Sequence, residues 1–230
     1  MPILFYGDTH RNWKPLVEAV LEHRPEHVVL LGDLELDAHI REKAAPVLAA
    51  GARLWWVHGN HDTHSEEMWS FLFEDFPDGS LSGRAVRMEC RGGALTVAGL
   101  GGNFKERAWY PKADGATARW NSPEVFLAQH GRGQRLRGGL PLCHRDTIFP
   151  SYCAAMAGLR ADVLATHEAP TSVSGGKGFC ALDDLAHALG ARLAIHGHHH
   201  DTYDGVTRDG IPVRGLNGNE VFLLEPGELG

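Results

Sequence analysis

Five times along this chain an apolar run of strand length stops abruptly in glycine, carboxylate, amide or imidazole groups. Ile3-Leu4-Phe5-Tyr6 runs into Gly7-Asp8-Thr9-His10, residues 27–31 into Gly32-Asp33, and residues 53–57 into His58-Gly59-Asn60-His61-Asp62. Later, residues 162–166 end at His167, and Leu193-Ala194-Ile195 ends in His196-Gly197-His198-His199-His200. Runs this short, followed at once by polar groups, read as buried strands that deliver side chains at their C-terminal ends, where open α/β sheets hold ligands. Two successive strands joined by a helix and each ending in Gly-Asp place Asp8 and Asp33 near one edge of a parallel sheet. Imidazole is the commonest protein metal ligand, and residues two apart share a direction on extended chain. Asp8 and His10 are therefore expected to point together, as are His198 and His200, with His199 pointing the other way.

The segments between these endings supply packing. Leu16, Val17, Val20 and Leu21 recur at helical spacing, with Asn12 placed to cap that helix. Glu35 and Asp37 suit the N-terminus of a second helix over about residues 38–50. Residues 85–89 and 94–100 read as strands of a second sheet, joined as a hairpin at Gly92-Gly93. Residues 101–145 form an irregular insert rich in Arg, Gly, Pro and aromatic side chains. A long irregular segment inside a compact domain is usually functional. Within it Lys105, Arg107, Trp109 and Tyr110 are candidates to meet the substrate, whereas Arg132, Arg135 and Arg137 read as a solvated basic loop. Ser174-Gly175-Gly176-Lys177-Gly178 fails as a phosphate loop, because Thr171 stands where its first Gly belongs and Gly178 where Ser or Thr must follow Lys. It reads instead as a mobile loop near the site. Leu182, Leu185, Ala186 and Leu189 make a short amphipathic helix. The tail, residues 202–225, alternates strand patterns with Asp204-Gly205 and Asp209-Gly210 turns and is expected to close the second sheet. Strand and helix alternate in the first half and hairpins follow in the second, which predicts an α/β fold of two mixed β-sheets packed together and flanked by helices.

At 230 residues and 43% hydrophobic, the chain can bury the core of a single domain spanning 1–230. A formal charge of −7 disfavours a duplex nucleic acid partner, and two divalent cations would offset much of it. Cys90, Cys143, Cys153 and Cys180 include no Cys-x-x-Cys pair, so they read as reduced thiols. The start lacks a basic segment and a long apolar run, so neither a signal peptide nor a membrane span is expected, and a cytoplasmic location is.

Asp8-x-His10, Gly32-Asp33, Gly59-Asn60-His61-Asp62, the lone His167 and Gly197-His198-x-His200 resemble, in order, the five motifs of the calcineurin-like metallophosphoesterases. The resemblance runs from residue 8 to residue 200 and implies a four-layer α-β-β-α sandwich. It also implies two divalent or mixed-valence metal ions, one held by Asp8, His10, Asp33 and His200, the other by Asp33, Asn60, His167 and His198, with Asp33 bridging. Oxygen and imidazole donors of this kind suit manganese, iron or zinc. The implied chemistry is binuclear hydrolysis of a small phosphoester, a nucleotide being one candidate, by a metal-bridging hydroxide attacking phosphorus in line. Asp33 and His61 are the catalytic residues in this reading, and His61 assists the leaving group without ligating metal. A phosphodiester is favoured over a monoester. The alternative is a non-catalytic metal-binding or protein-binding scaffold on the same fold, against which intact Asp8, Asp33, Asn60 and His61 argue.

Two departures matter. Leu36 and Asp37 stand where Ser/Thr phosphatases of this superfamily carry Asp and Arg, which disfavours that subfamily and leaves the carboxylate orienting His61 open among Glu35, Asp37 and Asp62. Arg11 stands where Gly is common and is a candidate, with Asn60, Lys105 and Arg107, to bind substrate. His58 and His64 read as structural or surface residues.

Overall fold

The computed structural model describes residues 2–131, 133 and 135–229. Among the described residues, ten strands form two sheets. β1 (Ile3–Tyr6), β2 (His27–Leu30) and β3 (Arg53–Trp56) are parallel neighbours, and β1 also pairs antiparallel with β10 (Val221–Leu224). The second sheet has the order β4 (Arg84–Cys90), β5 (Gly93–Leu100), β6 (Val163–Thr166), β7 (Leu193–His196), β9 (Pro212–Gly215), β8 (Tyr203–Val206). Its four central strands are parallel, and both outer strands are antiparallel to their neighbours.

Strand alternation decides the layers. On β1, Ile3 and Phe5 face the second sheet and pack with Val29, Leu31, Val97, Val163 and Ile195. Leu4 and Tyr6 face outward, with Val28, Leu30 and Trp56, onto helices α1 (Lys14–His23), α2 (Ile40–Lys43) and α3 (Ala45–Ala49). After the short helices α4 (Glu66–Trp69) and α5 (Pro123–Gln129), α6 (Pro150–Met156) and α7 (Cys180–Leu189) cover the far face of the second sheet through Met156, Leu182, Leu185 and Leu189. The result is the α-β-β-α sandwich. Removal of each such aliphatic side chain from water contributes roughly 1.5–3 kcal/mol.

Several local expectations are corrected. Helix α1 starts after Trp13, with no side-chain cap and Pro15 in its first turn, while the Asn12 amide turns to Asn219. The expected helix over 38–50 breaks at Ala44, because Pro46 lacks a backbone donor and restricts the residue before it. Asp204-Gly205 lies inside β8, where Gly205 admits the Ser172 and Tyr203 side chains; only Asp209-Gly210 turns, with Gly210 at φ 80°. The tail splits between sheets: β8 and β9 join the second, but β10 crosses to β1, where Phe222 and Leu224 enter the apolar layer between sheets. The insert is irregular yet packed, with Trp120, Phe126 and Leu140 joined by Phe149, just beyond it, in a small core of their own. Arg132 lies outside the described residues. Arg135 donates to the Leu127 carbonyl and Arg137 pairs with Glu74, so both are tied locally.

Candidate metal centre

The carboxyl ends of β1, β2, β3, β6 and β7 meet where the two sheets face each other. His167, just past β6, donates from Nδ1 to the Leu31 carbonyl past β2 at 2.8 Å. The His198 amide, past β7, donates to Asp8 Oδ2 past β1 at 2.7 Å. Asn219, at φ 64°, reaches over from the loop before β10 and donates to the Asp8 carbonyl. Tight glycines permit the approach. A methyl group on Gly59 would overlap the Asp33 carboxylate, and one on Gly197 would overlap Asp8.

The chain leaves each strand by bending. His10, Arg11, Asp33, Glu35, His198 and His200 all have φ between 40° and 70°, a left-handed conformation rare for side chains other than Gly, Asn and Asp. The expectation of extended chain at His198 and His200 therefore fails, and the two rings separate. His200 joins Asp8 and His10, whereas His198 joins Asp33 and His167.

Both groups have donor sets that call for a cation. His10 Nδ1–H donates to Glu35 Oε1 at 3.2 Å, so its Nε2 presents a lone pair, and that atom faces His200 Nε2 at 3.0 Å. His167 repeats the arrangement: its Nδ1–H is committed to Leu31, and its Nε2 faces His198 Nδ1 at 3.0 Å and Asn60 Oδ1 at 3.1 Å. Imidazole nitrogens drawn within 3.0 Å of one another beside the buried Asp8 and Asp33, with His200 Nε2 also 3.1 Å from Asp8 Oδ2, fit two positive ions. Asp33 Oδ1 lies 3.5 Å from His167 Nε2, and its Oδ2 lies 3.9 Å from His61 Nε2.

The electrostatics agree. Burial works against charge on Asp8, but His200, His167 and the His198 amide outweigh it and lower its pKa. Burial likewise opposes charge on His167, yet Asp33 and Asp8 push its pKa up to about 9, so in the ion-free site a proton on this ring supplies the positive charge that a cation would replace. His198 is held neutral, at about 3, by burial and then by the charge on His167.

Of the three carboxylates open for His61, the geometry singles out Glu35. Its Oε1 lies 3.1 Å from His61 Nδ1 and also takes the His10 hydrogen bond. Asp37 pairs with Lys43 at 2.9 Å. Asp62 is a clamp: it accepts the Leu34, Glu35 and Gly59 amides and so ties the loop after β2 to the loop after β3. Burial, then the Asp33 charge, raises its pKa to about 6.

The proposed substrate residues are dispersed. Arg11 donates from Nε to the Glu35 carbonyl at 2.9 Å and is half-exposed. Lys105 is paired with Asp146 at 2.5 Å, on the wall of a cavity of about 660 Å³ that also touches Asn60 and His64. Arg107 is exposed and lines none of the described cavities, and Trp109 packs on Phe104 away from the metal groups. His58 is buried beside Phe73, and exposed His64 packs against the His61 ring. Tyr110 lines a second cavity, of about 450 Å³, on the His198 side. Glu168 and His199 stand at that cavity and were not singled out from the sequence, although a carboxylate next to a ligand His was a readable signal. Burial raises Glu168 to about 7.

Residues 1–202 match the family described as calcineurin-like phosphoesterase. An uncharacterized protein of Haemophilus influenzae is 32% identical over 207 residues, covering 87% of this chain and 84% of its own length. Among solved structures, a phosphopantetheinyl hydrolase of Mycobacterium tuberculosis superposes with a TM-score of 0.58 at 15% identity, over 98% of this chain and 96% of the other. A dimetal phosphatase of Danio rerio gives 0.53 at 14% identity, over 94% and 86%. At such identities the structural likeness is one of fold.

Proposed function

The chain belongs to the calcineurin-like phosphoesterase family and is a hydrolase of phosphoric esters, and from that premise we propose that it cleaves small phosphodiesters with two divalent metal ions. The observation that carries the metal reading is the double set of facing imidazole nitrogens, His10 with His200 and His167 with His198, each 3.0 Å apart beside a buried aspartate. Asp8, His10, His200 and Asp33 would hold one ion, and Asp33, Asn60, His167 and His198 the other. Manganese, iron and zinc all suit these donors. When bound, two such ions make hydroxide available near neutral pH and neutralise charge on the phosphoryl oxygens.

The chain's own contribution is orientation and a proton. With Nδ1 against Glu35, His61 turns Nε2 towards the metal groups, where its imidazolium form, which carries a proton on both nitrogens, can donate to the departing oxygen. The preference for diesters rests on the two cavities, one beside Asn60 and His64 and one beside His198, which meet at Asn103. A diester has a substituent for each; a monoester leaves one unfilled. Asn60 and Lys105 stand at the first cavity and Arg11 at the rim of the His10 side, as contacts for substrate oxygens; Arg107 has no such position. Free cysteines fit a cytoplasmic setting, and no helix among the described residues is long and apolar enough to cross a membrane.

Metal-stripped protein refilled with manganese tests the reading on bis(para-nitrophenyl) phosphate beside para-nitrophenyl phosphate. Manganese-dependent turnover with the diester ahead is expected. Monoester turnover ahead of diester removes the diester preference, and no turnover on either with two ions bound removes the catalytic reading.

A further inference from the structure

Just past β6 and β7 the chain brings Glu168, His198 and His199 together at the cavity on the His198 side, each with a ligand atom within 4.8 Å of the others'. Glu168 is 3% exposed and firmly held: its Oε1 accepts the Phe104 amide at 3.3 Å, and the Thr166 hydroxyl donates to its carbonyl. That anchoring leaves Oε2 buried with no hydrogen-bond partner among the described residues, and at 3.9 Å from His198 Nε2 it is beyond hydrogen-bond reach of that ring. His199 Nε2 is likewise buried and unpartnered. Buried polar atoms are nearly always paired, so two unpaired ones brought to one place mark a point where a ligand supplies the partner. A buried carboxylate between imidazoles asks for a cation. The lysines of the cavity do not answer it: Lys112 Nζ lies 3.7 Å over the Phe179 ring and donates to the carbonyls of Lys177 and Gly178, and Lys177 is exposed at the rim.

We propose that Glu168, His198 and His199 hold a third divalent cation, zinc in preference, beside the two of the candidate metal centre. Two imidazole nitrogens and one carboxylate oxygen are a donor set that zinc takes with one position left open. Bonds to zinc of roughly 2.0–2.2 Å draw such ligands closer together than they stand here, and small rotations of the two rings supply the difference. His198 serves both sides. Its Nδ1 faces His167 Nε2 at 3.0 Å, and its Nε2 is the nitrogen turned to Glu168. With both ions in place the ring bridges them, and its one proton passes to solvent. Glu168 offsets the added charge, as Asp8 and Asp33 offset that of the other ions. The open position faces the cavity, so water or an anionic oxygen of a bound molecule completes the shell.

This site needs His198 but neither Asp8 nor Asp33, so it can be tested apart from the phosphoesterase reading. Metal-stripped protein is dialysed against zinc at neutral pH, and bound ions are counted by elemental analysis. Three per chain are expected in the parent, and two in both His199→Ala and Glu168→Gln. The His199 ring is partly exposed, so its variant keeps the test open if Glu168→Gln does not fold. Anomalous diffraction at the zinc edge should place a peak among Glu168, His198 and His199 in the parent that His199→Ala lacks. Asp33→Asn should lose ions from the candidate metal centre and keep the one at Glu168.

Equal zinc counts in the parent and His199→Ala, with no anomalous peak beside Glu168, overturn the proposal and leave the two-ion reading standing. A single zinc in the parent that His199→Ala and Glu168→Gln both lose supports this site and removes the two-ion centre instead.

Discussion

Glu35 serves two histidines at once. One carboxylate oxygen takes the His10 N–H and lies against His61 Nδ1, so it fixes which nitrogen each ring turns inward. Glu35→Ala is expected to weaken metal binding at the Asp8, His10 and His200 group by about ten- to hundredfold. It should also slow turnover of alkyl esters more than nitrophenyl esters, because a misoriented His61 matters most for a poor leaving group. Metal titration and a leaving-group series check both, and unchanged values in the two experiments would reduce Glu35 to a surface acid. At this scale the sequence was legible for residue types and order: every side chain brought to the two metal groups had been singled out. Which of Glu35, Asp37 and Asp62 faces His61 was not legible. All three are within a few residues of ligands, and the choice depends on left-handed bends at Asp33 and Glu35 that no residue type announces. The pairing that holds Lys105 at the cavity wall was equally illegible, since its partner Asp146 lies 41 positions along the chain.

The strand endings, more than the strands, make the site. Each must turn a ligand inward within two or three residues of the last ladder bond, and the glycines give the room. Gly59 is tightly confined, packed against the Asp33 carboxylate and the His167 ring. Gly59→Ala should fold with an unchanged far-ultraviolet circular dichroism spectrum yet lose at least one equivalent of bound metal, with turnover falling alongside. Full metal occupancy in that variant would show that the loop yields easily. Elements ending in chemistry were readable because apolar runs meet polar groups sharply. The tail was not, since Val221, Phe222, Leu223 and Leu224 would suit either sheet, and their place beside β1 is decided by the packing of Phe222 and Leu224 between the sheets. The helix break at Ala44 is written in Pro46, which divides residues 38–50 into two short helices.

Across the whole molecule, burial of ionisable groups sets the response to acid. His58 is fully enclosed, and burial, then the charge on His167, pushes its pKa down to about 3. An unfolded chain protonates it near 6.5, so between those values the unfolded state binds the extra proton and stability falls as pH drops. The contribution is up to about 1.4 kcal/mol per pH unit below 6.5, and it levels off near the folded value. Urea unfolding of metal-free protein from neutral to mildly acidic pH should show a shallower loss in His58→Gln than in the parent. Equal slopes would assign the acid sensitivity to other groups. The pairing of β1 with β10 has a consequence on another clock, that of synthesis. β1 leaves the ribosome early, but its free edge waits for residues 221–224. At translation speeds of about 5–20 residues per second, that wait lasts roughly 10–40 s. Through most of that interval Asp8 sits on a half-paired strand with His167 and His200, its partners from the second sheet, still unmade. Neither candidate metal group can therefore be complete until His198 and His200 are made, close to the end of synthesis.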